Sequence, residues 1–176
     1  MKAADIAYPA IIAAETTSPH LANGTGEALS TKVKYALGTD KTEYKRLDLQ
    51  HHVFYLKFEG QLHLAPLGVV HNVLDMGTGM GNWAIDFAKL HPEANVIGSD
   101  SSGFERPQSY VRDNLTNLSF VLADAEEEWT FDTKFDYIHG RLMQISFKDV
   151  KGVFGRAFDS LAPGRWLEMQ DILTWA

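Results

Sequence analysis

Cysteine is absent from all 176 residues. That excludes disulfide frameworks, thiolate metal sites and a cysteine nucleophile, and leaves the compartment open. Long hydrophobic runs are missing too: no stretch approaches the roughly 20 apolar residues that a membrane-spanning helix needs. Nor is there an excess of basic residues, since 16 Lys and Arg face 23 Asp and Glu, for a formal charge of −7. Phosphate backbones and anionic membranes both require a basic face, so no nucleic-acid and no membrane partner is expected. The opening Met1-Lys2-Ala3-Ala4-Asp5-Ile6-Ala7-Tyr8-Pro9 makes a poor secretion signal, because Pro9 splits its apolar stretch and Asp5 precedes it. An intracellular protein, cytoplasmic or nuclear, is the expectation.

What is present suits one globular domain with a real core: 45% hydrophobic and 22% charged residues. Residues 1–30 are rich in Ala, Thr, Ser, Gly and Pro, lack sustained periodicity and read as a loose N-terminal leader. Asp40-Lys41-Thr42-Glu43 has capping-box spacing. After it, Tyr44, Leu47, His51, Phe54 and Phe58 recur in steps of three and four, which places them on one helix face that Gly60 ends. His51 and His52 lack the spacing of metal ligands, and no metal is expected.

From residue 71 the pattern alternates. Strands are predicted at 71–76, 95–99, 118–122, 135–139 and 165–172, with helices at 82–90 and 149–161. Strands joined by helical crossovers imply an α/β fold, a mostly parallel sheet covered by helices on both faces. Ligands of such sheets bind beyond the carboxyl ends of the strands, near the point where strand order reverses. The informative residues should therefore follow the strands.

Asp75-Met76-Gly77-Thr78-Gly79-Met80-Gly81 follows the first of them. Alternate glycines permit backbone angles that a Cβ resists and let a ligand lie against the main chain. The helix beginning near Asn82 points its free N–H groups at that ligand. A nicotinamide fingerprint would place its third glycine where Asn82 stands. The alternate spacing favours S-adenosylmethionine instead, as does Asp75, which can meet the amino group of a methionine moiety. Asp100, some twenty residues further on, is placed to accept from ribose hydroxyls. Asp124, followed by Ala125, can accept from an adenine amino group. Singly, each aspartate is equally a solvated strand-end residue; three at consecutive strand ends around one glycine turn make a constellation.

Several segments together resemble a known family. They are Arg46-Leu47-Asp48-Leu49-Gln50-His51-His52, Leu62-His63-Leu64-Ala65-Pro66, 73–79 with Trp83-Ala84-Ile85-Asp86-Phe87-Ala88, Val96-Ile97-Gly98-Ser99-Asp100, Asp124-Ala125-Glu126, Phe135-Asp136-Tyr137-Ile138-His139-Gly140-Arg141 and Trp166-Leu167-Glu168-Met169-Gln170-Asp171. In this order they resemble the fungal class I S-adenosylmethionine-dependent methyltransferases of the LaeA-like family, which serve secondary metabolism. The resemblance covers about residues 33–172. It implies a Rossmann-like core over 71–176 and a helical lid segment over 31–70. Asp75, Gly77, Gly79 and Gly81 would hold the methionine moiety, Asp100 the ribose, and Asp124 and Ala125 the adenine. His139, Gly140 and Arg141 would lie near the reactive methyl, with His51 on the lid. His139 is the candidate general base, a strand-end histidine titrating in the useful range, or else a hydrogen bonder behind the reacting groups. Arg141 would bind an acidic substrate or pair with a neighbouring carboxylate.

Three features depart from the family. Ser101-Ser102-Gly103-Phe104-Glu105-Arg106-Pro107 replaces its usual Ser-Pro-x-Gln-Pro. Arg165 replaces the second glycine of a Pro-Gly-Gly-Trp turn and would be strained if that position needs a positive φ. The fold reads as truncated after its fifth strand, with the C-terminal strands absent, so that strand would be an open edge. Either a protein partner or a second copy would then cover it, or the protein would be poorly stable. The acceptor is expected to be a small molecule. The alternative is a truncated regulatory or inactive relative that binds cofactor or a protein partner without turnover.

Overall fold

The central strands carry apolar residues on both faces, as in Val73 and Leu74 or Tyr137 and Ile138, and so need cover on each side; this requirement organises the sheet. The computed structural model describes residues 10–13, 41–102 and 114–172. In chain order the elements are β1 (Ala10–Ala13), α1 (Lys41–Lys57), β2 (Asn72–Met76), α2 (Asn82–Leu90), β3 (Asn95–Asp100), β4 (Leu118–Leu122), β5 (Phe135–Arg141), a single 3-10 turn at Gln144–Ser146, α3 (Val150–Ser160) and β6 (Leu161–Gln170). The sheet runs β1-β6-β5-β2-β3-β4. Strands β2 to β6 are mutually parallel. The chain builds outward from β2 to β3 and β4, then returns to lay β5 on the other side of β2. The reversal of strand order therefore falls between β2 and β5, where a ligand crevice opens.

Alternation along the strands sorts the core into two layers. Val73, Val96 and Tyr137 face α2, which contributes Trp83, Ala84, Phe87 and Ala88. Leu74, Met76, Ile138, Leu167 and Met169 face α3, which contributes Val153 and Ala157. Gly81 caps the start of α2 in the left-handed region at φ 85°. A Cβ there would lie 2.5 Å from the Phe120 ring, so this glycine sets how closely the helix approaches the sheet. On α1, Phe54 is buried, and Tyr44, Leu47, His51 and Phe58 are half-buried, as their spacing predicts. Asp40 of the expected capping box lies outside the described residues. Glu43 is buried and pairs with Arg46 at 2.7 Å. No helix of the described residues is long and apolar enough to cross a membrane.

Two expectations need correction. The edge of β6 is not open: β1 pairs with it antiparallel, with Ala10 opposite Met169 and Ala13 opposite Trp166. Within the expected loose leader these four residues are therefore strand, satisfying the β6 main chain that would otherwise seek another chain. The rest of the leader, and 103–107 of the altered loop, lie outside the described residues. Arg165 is not strained either. The left-handed residue of that turn is Gly164, at φ 73°, and Arg165 pairs with Asp136 at 2.9 Å. Gly164→Ala should therefore lower stability by about 1 kcal/mol, whereas Arg165→Gly should yield no gain; urea denaturation of the two variants checks both.

Candidate active site

Three polar residues stand side by side where apolar ones would be expected. Asp75 of β2 is in register with His139 of β5, and His139 with Glu168 of β6. All three are buried, on the sheet face that α2 covers. Each therefore needs hydrogen-bond partners, and those partners organise the site.

Asp75 Oδ1 accepts from His139 Nδ1 at 2.7 Å, and its Oδ2 accepts from the Thr78 hydroxyl at 2.6 Å. Because Nδ1 donates to the carboxylate, Nε2 of the neutral ring is left as an acceptor. It is buried and has no hydrogen-bond partner among the described residues. The Trp83 indole stacks on the imidazole, with ring centroids 3.8 Å apart and planes 5° from parallel. Its Nε1 donates to the carbonyl of Leu62 at 2.8 Å. His139 is thus fixed by Asp75 along one edge and by Trp83 across one face.

Glu168 receives the backbone N–H groups of Leu64 and Ala65, the Tyr137 hydroxyl at 3.0 Å and Gln170 Nε2 at 2.8 Å. Burial raises the Tyr137 pKa well above its usual value, so the phenol stays a neutral donor. Gln170 Nε2 also donates to the Leu62 carbonyl, and its Oε1 accepts from Arg141 Nε at 3.0 Å. Burial lowers the Arg141 pKa to about 10, which still leaves it charged at neutral pH. Arg141 Nη1 lies 3.1 Å from His51 Nδ1. A guanidinium only donates, so His51 Nδ1 accepts, and its Nε2 donates to Asp86 Oδ2 at 3.0 Å. The Phe54 ring lies over the same guanidinium, 4.7 Å away. Helix α1 is held to β5 and α2 by this chain.

The glycine turn closes the other side. Gly77 and Gly79 adopt φ 67° and 54°. Gly79 N–H donates to Asp100 Oδ2 at 2.8 Å, joining the ends of β2 and β3. Asp100 Oδ1 accepts from the backbone N–H and the hydroxyl of Ser102. After β5, Leu142 takes a left-handed φ of 52°, a costly conformation for leucine. That bend returns the chain over the turn, where Met143 packs against Gly77 so closely that a Cβ on Gly77 would meet its sulfur at 2.1 Å.

The glycine turn, the ends of β2, β3 and β5, and α1 line a half-open cavity of about 280 Å³. Of the residues singled out from sequence, Asp75, Gly77, Gly79, Asp100, His139, Arg141 and His51 line it. Four do not. Gly81 caps α2, and Gly140 lies between Met76 and Met169, where a Cβ would stand 2.9 Å from Met169. Asp124 is exposed and accepts from the Glu126 N–H, while the Ala125 carbonyl accepts from Trp129 and Arg156. Both follow β4, which is separated from β2 by β3. Trp83, Thr78 and Met143 line the cavity although sequence reasoning gave them no site role. For Glu168 and Gln170, polar residues two apart in a strand expected to be covered on both faces were an available signal.

A methyltransferase-domain family model matches residues 49–175. The chain belongs to this methyltransferase family. Among curated relatives, tdiE of Emericella nidulans, named a probable methyltransferase, is 38% identical over 136 residues, which are 77% of this chain and 41% of tdiE. The secondary metabolism regulator laeA of Aspergillus fumigatus is 32% identical over 141 residues, 78% of this chain and 36% of laeA. The chain thus spans less than half the length of either. The solved O-methyltransferase region of StiE shares the fold with a TM-score of 0.55 at 19% identity, over 74% of this chain and 47% of that one.

Glu168→Leu removes the acceptor of two main-chain and two side-chain donors. It should cost about 3–5 kcal/mol, read as a lower urea midpoint, with tryptophan fluorescence reporting release of Trp83.

Proposed function

We propose that this methyltransferase binds S-adenosylmethionine on the Gly77–Gly81 turn. We further propose that it methylates a small molecule of fungal secondary metabolism, inside the cell, in the cytoplasm or nucleus. The observation carrying this reading is the Gly79 N–H to Asp100 hydrogen bond, which draws the glycine turn and the strand-end carboxylate to one cavity beside His139. The residues fit such a cofactor. A Cβ on Gly79 would meet only Leu47, at 3.8 Å, so the space over this residue is open to a ligand. A carboxylate oxygen offers two acceptor sites. Asp100 Oδ2 uses one, and each Asp75 oxygen uses one, leaving capacity for a hydroxyl and an amino group.

When bound, the sulfonium cofactor supplies an electrophilic methyl group that needs little further activation. The protein's task is then to position the partners and exclude water. Asp100 takes the ribose, Asp75 the amino group, and α1 serves as lid, held by His51. Asp124 and Ala125 are assigned to the adenine from the family resemblance. His139 has its Nε2 unpartnered among the described residues and its Nδ1 committed to Asp75, an arrangement suited to taking a proton from an oxygen acceptor. A second reading, binding without turnover, is favoured by the likeness to laeA, which is named a regulator.

Calorimetric titration with S-adenosylhomocysteine should show binding, and Asp100→Ala should weaken it about tenfold or more. Absence of heat and of a thermal shift would falsify the cofactor reading. Methyl-labelled S-adenosylmethionine added to a fungal extract should label a product with wild type. His139→Gln should slow this labelling by about a hundredfold or more. Binding without label supports the regulatory reading.

A further inference from the structure

Arg141 is a largely buried cation with no ion-pair partner among the described residues. Its two hydrogen bonds go to neutral acceptors, Gln170 Oε1 and His51 Nδ1. The carboxylates whose charge it feels, Asp75 and Glu168, are bound to other donors: Asp75 to His139 and Thr78, Glu168 to Tyr137, Gln170 and two backbone N–H groups. A guanidinium carries more N–H donors than those two bonds use. Its Nη2 bonds to nothing among the described residues, and the side chain lines the cavity. Enclosing a charge without a partner is costly. Here the position is held firm: Phe54 lies over the guanidinium, Gln170 fixes Nε and His51 fixes Nη1. What remains is a preorganised fork facing the cavity, a shape that matches a carboxylate.

We propose that Arg141 is the carboxylate-binding group of this cavity. Resting on the cofactor reading above, the site would take either the carboxylate of the cofactor's amino-acid tail or that of an acidic acceptor. The pairing of Arg141 with a neighbouring protein carboxylate, the other possibility the sequence allowed, does not occur among the described residues.

Two titrations separate the sources. In the first, wild type is titrated with S-adenosylhomocysteine and with its decarboxylated analogue, which keeps the amino group. In the second, wild type saturated with S-adenosylhomocysteine is titrated with benzoate and with benzamide. Both are repeated on Arg141→Gln and on Arg141→Lys, which keeps the charge and loses the fork. A preference of about tenfold or more for the carboxylate in the first titration, erased in Arg141→Gln and reduced in Arg141→Lys, assigns the site to the cofactor. The same pattern confined to the second assigns it to the acceptor. Wild type that prefers the carboxylate in neither titration overturns the proposal, and needs no variant to fold. A preference that survives unchanged in a folded Arg141→Gln overturns it as well. Failure of wild type to bind S-adenosylhomocysteine at all instead removes the cofactor reading, and this site with it.

Discussion

The carboxylate of Glu168 has no access to solvent, and everything around it is arranged to satisfy it. Two of its donors are backbone N–H groups of Leu64 and Ala65, in the segment that joins α1 to β2. That segment cannot leave the sheet without stranding a buried charge, so α1 is held where its His51 and Phe54 meet Arg141. The Leu62 carbonyl in the same segment accepts from both Gln170 and Trp83. One buried acid therefore controls the attachment of α1 and, through Trp83, the plane of His139.

The cavity follows from this constraint together with the strand order. Returning the chain from β4 to pair β5 with β2 places Asp75 and His139 opposite each other at the switch point. In a low-dielectric setting a 2.7 Å contact to a carboxylate fixes both the ring orientation and its tautomer. The glycine turn then works by what its conformation permits. Gly77 gives way to Met143, and Gly79 leaves space open while its N–H reaches Asp100. A polar network this dense on one sheet face costs desolvation; the opposite face, packed with Leu74, Ile138, Leu167 and Met169 against α3, supplies ordinary apolar burial.

Much of this was legible in the residues. Short segments rich in apolar and β-branched residues, alternating with helical patterns, placed the five parallel strands, because strand and helix impose different periods on the side chains that must be buried. Strand-end positions pointed to Asp75, Asp100 and His139, because a parallel α/β sheet puts its ligands at that end. Less legible were features that depend on which strands become neighbours. The pairing of Ala10–Ala13 with β6 is invisible in a four-residue apolar stretch, whose partner lies more than 150 residues away in sequence. Arg165 looked like a strained replacement for glycine, yet the turn places its left-handed residue one position earlier, at Gly164. Asp124 satisfied the spacing rule but points its acceptor at its own turn.

The sequence by itself determined the family, the alternation of strands and helices, and the glycine turn with the acids that follow it. These depend on local propensity and on periodicity, which are properties of neighbours along the chain. Only the tertiary structure decided that Asp75 engages His139, that Trp83 clamps the ring and that Glu168 anchors the segment between α1 and β2. It also decided that Arg141 is largely buried with no carboxylate partner among the described residues. Each of these joins residues from different elements, and a polar side chain's role inside a protein is set by which partners replace the water it has lost.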